Sequence, residues 1–112
     1  MKKTVIFFLL LSVVTFQYCS SSKKAKKTPE KINYTANVQP IISASCSPCH
    51  IPPGGNKKAL NTYDAAKTNI DDIIARIQKN PGERGFMPFK HPKLSDSTIQ
   101  VFVQWKNDGL PE

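Results

Sequence analysis

Residues 37–50 run Asn37-Val38-Gln39-Pro40-Ile41-Ile42-Ser43-Ala44-Ser45-Cys46-Ser47-Pro48-Cys49-His50, and the rest of the chain takes its sense from them. Val38, Ile41 and Ile42 recur at the i, i+3, i+4 spacing of one buried helical face. Asn37 suits an N-cap, and Pro40 is tolerated because it falls in the first turn. A helix is therefore expected over about 38–45, delivering the cluster Cys46-x-x-Cys49-His50 at its end. Pro52-Pro53-Gly54-Gly55 follows, a run that neither helix nor strand accepts.

Downstream, a short helix is expected from about Thr62 to Lys67, carrying Tyr63, Ala65 and Ala66. A second, from about Ile70 to Lys79, carries Ile70, Ile73, Ile74 and Ile77 in one apolar stripe, and Asn80-Pro81-Gly82 stops it. Glu83 to Leu94 mixes prolines and glycines with aromatics and predicts an ordered, irregular loop. The last helix opens at Ser95, a good N-cap, with Asp96 at its positive end, and closes at Gly109. Ile99, Phe102 and Val103 share its face, with Val101 and Trp105 alongside. No alternation of period two and no internal repeat is present, so the domain over 34–112 is expected to be all-α.

Upstream, Lys2 and Lys3 precede an almost unbroken apolar run from Val5 to Phe16. Basic residues followed by an apolar run mark an export signal over 1–18, too short to span a bilayer comfortably. Cys19 closes the run, followed by Ser20-Ser21-Ser22 and a lysine-rich linker, so residues 19–33 hold a candidate lipidation site and a flexible spacer. This end resembles a bacterial lipoprotein signal, although Phe16-Gln17-Tyr18 departs from the small residues usual there. The formal net charge of +8 is concentrated outside the domain: residues 20–33 hold +4 and residues 34–112 only +2. A basic leader and linker give a solvated tail able to rest on an anionic membrane, not a nucleic-acid face.

Cys46-x-x-Cys49-His50 is the spacing of covalent haem attachment. Two thiols three positions apart reach the two vinyl groups on one porphyrin edge, and His50 is placed to ligate iron from one face. Three other chemistries use the same residue types. Thiol–disulfide exchange prefers the start of a helix after a strand. A zinc site would need Cys46, Cys49, His50 and His91 at an unusual spacing. A plain disulfide leaves His50 without a purpose.

With the export signal, the preceding helix, Gly85-Phe86-Met87-Pro88 and Leu94-Ser95-Asp96 leading into a final helix with Trp105, the domain resembles the class I mono-haem cytochromes c. The resemblance covers about 34–112 and implies about four helices wrapped around one covalently bound haem c. It implies Cys46 and Cys49 as thioether donors, His50 as proximal ligand and Met87 of the Met-Pro dipeptide as second axial ligand. Met87 is one of two methionines, the other being the initiator. A thioether opposite histidine favours reduced iron and raises the potential, and Pro88 holds Met87 extended. His91, in the same loop, is the rival ligand. The first and last helices of the family cross, so Phe102 or Trp105 would meet Val38, Ile41 or Ile42, and the Trp105 indole would bond at the crevice rim. Phe86 is the aromatic expected to line the crevice, with Tyr63 and Phe89 as core.

The function so implied is electron carriage outside the cytoplasm, on the periplasmic side of a membrane, by a carrier and not an enzyme. Lys57, Lys58, Lys90 and Lys93 would steer an acidic redox protein partner. A haem-based sensor, an electron-transfer subunit of a larger enzyme, and a thiol–disulfide oxidoreductase using Cys46 and Cys49 are the alternatives.

Overall fold

The computed structural model describes residues 30–112, so the export signal, Cys19 and most of the basic linker lie outside the described residues. Every regular element among those residues is helical. A π-helical turn, Tyr34–Val38, runs directly into α1, Gln39–Ser45; then come α2, Tyr63–Thr68, α3, Ile70–Ile77, and α4, Asp96–Asn107. The all-α expectation holds, with four helices and no strand among the described residues.

The first helical stretch begins earlier than the apolar pattern suggested, because Asn33 and not Asn37 caps it. The Asn33 side chain accepts from Ala36 N at 2.8 Å, and Asn37 Oδ1 accepts from Asn33 N at 2.9 Å. Two orphan amides are thus satisfied reciprocally. Thr62 caps α2 by accepting from Ala65 N, and Ser95 caps α4 by accepting from Thr98 N. The second of these agrees with the sequence reading. α3 stops at Ile77, two residues short of Lys79, with Gln78 as its C-cap.

Ile70, Ile73 and Ile77 are buried along α3, and Ile99, Phe102 and Trp105 along α4. On α4 the buried line therefore runs 99, 102, 105; Val103, expected on that face, is only half-buried. α4 packs against both α3 and the opening turn. Phe102, Trp105, Val38 and Ile42 are the largest fully buried side chains, which puts the meeting of first and last helices at the centre of the core.

Trp105 lies in an aromatic cluster at the closed end of the molecule. Its ring centroid is 5.8 Å from that of Tyr34 and 6.3 Å from that of Tyr63. The indole Nε1 donates to Pro111 O at 2.8 Å, Tyr34 N donates to the same carbonyl, and Tyr63 Oη donates to Leu110 O. Trp105 therefore ties the C-terminal segment to the N-terminal turn and does not sit at the rim of the site, correcting that expectation. The reason is proximity: Gly109, at φ +87°, turns the chain back so that the carbonyl six residues on lies over the indole.

Candidate functional site

Cys46 follows α1 directly, and its N–H closes the helix on Ile42 O at 2.9 Å. The next residues coil tightly: His50 N donates to Cys46 O and Ile51 N to Pro48 O. The loop beyond wraps back over this coil, with Lys57 N donating to Cys49 O at 3.1 Å and Leu60 N to His50 O at 3.0 Å. The motif is thus held by its own backbone and by the loop after it.

Gly55 is what lets the loop approach so closely. A Cβ there would lie 2.4 Å from Cys49 O and 2.5 Å from Pro48 O, both backbone atoms that cannot swing aside. Gly54 has nothing within 4 Å of the same position. Gly55→Ala is expected to displace the Cys49 carbonyl and lower the melting temperature, whereas Gly54→Ala leaves it near wild type. Equal behaviour of the two variants would refute this account of the loop.

The His50 ring is oriented by a 2.6 Å hydrogen bond between Nδ1 and Lys58 O. A carbonyl only accepts, so Nδ1 carries the proton, and in the neutral ring Nε2 is the nitrogen with the lone pair. This is the arrangement that fixes tautomer and direction in a metal-ligating histidine. The Lys58 ammonium bonds Asn69 Oδ1 at 2.9 Å, which pins the carbonyl's own residue to the head of α3.

Beside the motif lies a cavity of about 450 Å³, within the range of roughly 300–1,000 Å³ common for cofactor sites. Cys46, Cys49 and His50 line one part of it and Met87 another; Leu60, Ile73, Ile77, Leu94 and Phe102 give it apolar walls. Its polar edge includes Asp72 and Arg76, whose exposed ion pair at 2.8 Å holds the Asp72 carboxyl below its usual range. All four residues expected from the sequence to bind the cofactor are therefore brought to one cavity. His91 lines it as well.

An iron porphyrin fits these residues. The two thiols are unpaired, the imidazole offers Nε2, and the Met87 thioether on the same cavity is set among apolar side chains. Burial pushes the Cys46 thiol up, the reverse of the depressed thiol that disulfide exchange uses. The four zinc candidates line one cavity, but no group of three or more His, Cys, Asp or Glu side chains among the described residues is close enough to hold a metal ion.

Two aromatics exchange their expected places. Phe86 is buried but lines a separate hollow on the other side of its loop, while Phe89, expected in the core, lines the motif cavity and is 66 % exposed. Met87 and Phe89 border both spaces, whereas Phe86 borders only the second. Phe102, which the sequence placed only at the helix crossing, is also a cavity wall, as are Leu60, Ile73, Ile77 and Leu94. Helical periodicity marked most of these as buried without saying which of them face a void.

The lysines are less uniform than the sequence implied. Lys57 lines the cavity mouth and Lys90 lies 5.4 Å over the Phe89 ring, but Lys93 is turned inward onto Gln78 O and Asn80 Oδ1.

Comparison with protein-family models, curated proteins and solved structures gives no match. No described helix is long and apolar enough to cross a membrane.

Proposed function

We propose that the domain is an extracytoplasmic single-electron carrier, holding one haem c through Cys46 and Cys49 with His50 and Met87 as axial ligands. The observation that carries this is the sharing of one apolar cavity by the attachment motif and Met87, with the His50 tautomer set for ligation through Nε2. Bound there, the haem supplies reversible one-electron chemistry at iron. The protein's residues position and insulate it. Lys58 O holds the proton on Nδ1, the Gly55 loop clamps the motif, and Leu60, Ile73, Ile77, Leu94 and Phe102 keep water from the interior. With His50 and Met87 both holding the iron, no position would remain for a substrate, which favours a carrier over an enzyme.

The test is the spectrum of protein from a host competent in haem attachment. Expected are covalent haem bands that survive acidified organic solvent, with a weak red-edge band from sulfur–iron charge transfer that Met87→Ala removes. A colourless protein would support the thiol–disulfide alternative; an open sixth position in the wild type would support a sensor.

Partner encounter would fall at the cavity, which Lys57, Lys58 and the exposed Phe89 line, with Lys90 over the Phe89 ring. This surface suits an acidic redox protein. Electron-transfer rates are expected to fall by about tenfold between low and high salt, and Lys57→Gln with Lys90→Gln should flatten the dependence. A salt-independent rate in the wild type would remove steering from the account. Attachment through a lipid at Cys19, with residues 20–33 as a tether on the periplasmic side, would keep this surface near membrane-bound donors and acceptors. Unchanged membrane association of Cys19→Ala would rule that anchor out.

A further inference from the structure

His91 has no part in the function proposed above, yet the structure gives it a distinctive position. The chain contains two histidines, so beyond His50 it can supply only one further imidazole. His91 lines the same cavity as His50 and Met87. Its ring is exposed, and no hydrogen bond or ion pair among the described residues restrains it.

The backbone brings it there. His91 N donates to Pro88 O at 3.2 Å, and Lys90 takes a left-handed φ of +62°, folding the chain back immediately after Met87. Both side chains can thereby address one void from a single short loop. Met87 and His91 also both line a second, more open hollow of about 530 Å³ behind that loop, with Phe86 and Arg84. Met87, Phe89 and His91 border both spaces, so either donor side chain has room in each. Phe89, between them, is largely exposed and does not pin the loop to the core.

We propose that the Met87–His91 loop is a two-position ligand switch, in which His91 replaces Met87 opposite His50. This rests on the haem reading above. In the exchange the thioether lone pair leaves the iron and the lone pair of a neutral His91 imidazole takes its place; no electron or proton is transferred. A thioether favours reduced iron more than an imidazole does. The His91 form therefore has the lower potential, and oxidation shifts the population toward it by linkage.

The experiment compares holoprotein of the wild type, Met87→Ala, His91→Ala and the double variant by absorption, electron paramagnetic resonance and redox titration. Oxidised Met87→Ala is expected to stay low-spin with two nitrogen ligands, at a lower midpoint potential than the wild type. The double variant is expected to be high-spin and to take up added imidazole at roughly tenfold lower concentration than Met87→Ala. High-spin Met87→Ala, indistinguishable from the double variant, overturns the switch while leaving covalent attachment intact. Absence of pigment from the wild type itself overturns the haem reading and the switch with it. Should Met87→Ala fail to accumulate, wild type and His91→Ala are compared in urea just sufficient to open the loop. A two-nitrogen spectrum that appears in the wild type and not in His91→Ala supports the switch, and identical spectra overturn it.

Discussion

Replacing both Cys46 and Cys49 by serine is expected to abolish acid-stable pigment and to leave a protein that melts well below the wild type. Each thiol is unpaired and lines the cavity that Met87 also lines, so under the proposed haem attachment their loss would remove both covalent links at once. Serine keeps the size of the side chain and leaves the backbone bonds around His50 intact, which isolates the chemistry from the fold. The melting effect follows from size. A domain of about 80 residues buries only a modest share of its surface and commonly relies on a cofactor or cross-link. Here a solvent-open cavity of about 450 Å³ is walled largely by apolar side chains, so a bound porphyrin would cover apolar surface that the chain leaves exposed. Anything bound only by the folded state adds its binding free energy to stability. The measurement is acid extraction followed by thermal melting of helical circular dichroism. Retention of non-extractable pigment by the double variant would show that these thiols are not the attachment points.

Trp105→Ala carries the second large effect. The indole is 0 % exposed and packs against Tyr34, itself stacked edge-on to Tyr63. Truncating a buried tryptophan costs about 3–5 kcal/mol, against about 5–15 kcal/mol of total stability for a typical domain. Losing the bond to Pro111 O also frees the strap that the same carbonyl makes with Tyr34 N. The variant is expected to be largely unfolded without cofactor at 37 °C, measured by urea titration. Because Trp105 lies away from the cavity, any holoprotein recovered should keep a wild-type sulfur–iron band. A shifted band with unchanged stability would place Trp105 at the site after all.

Much of this molecule is written locally. Ser95 announces its helix because a side-chain oxygen two or three residues ahead of an amide caps it wherever the rest of the chain goes. The stripe Ile70, Ile73, Ile77 is buried because a 3.6-residue period leaves only one face to cover. The attachment motif is legible for the same reason, since all its functional atoms lie within five consecutive residues. Met87 stands out from its own sequence neighbours, Phe86 and Pro88, and from being the one methionine beyond the start of the chain.

Other features required the assembled chain. Asn33 displaced Asn37 as the cap because an N-terminal turn tied to Pro111 and Asp108 draws the helix start back by several residues. Periodicity placed Phe102 inside but could not distinguish packing on α1 from facing a void, since both are burial. The Trp105 acceptor, the Lys58 carbonyl that sets the His50 tautomer, the Gly55 clamp and the nearness of His91 to Met87's cavity all join atoms through turns and packing. The residue types for binding were thus fixed by short-range spacing. The orientation of His50 and the meeting of Met87 and His91 at one cavity were decided only by three-dimensional neighbours, because a hydrogen bond or a shared cavity belongs to a pair of segments and is carried by neither alone.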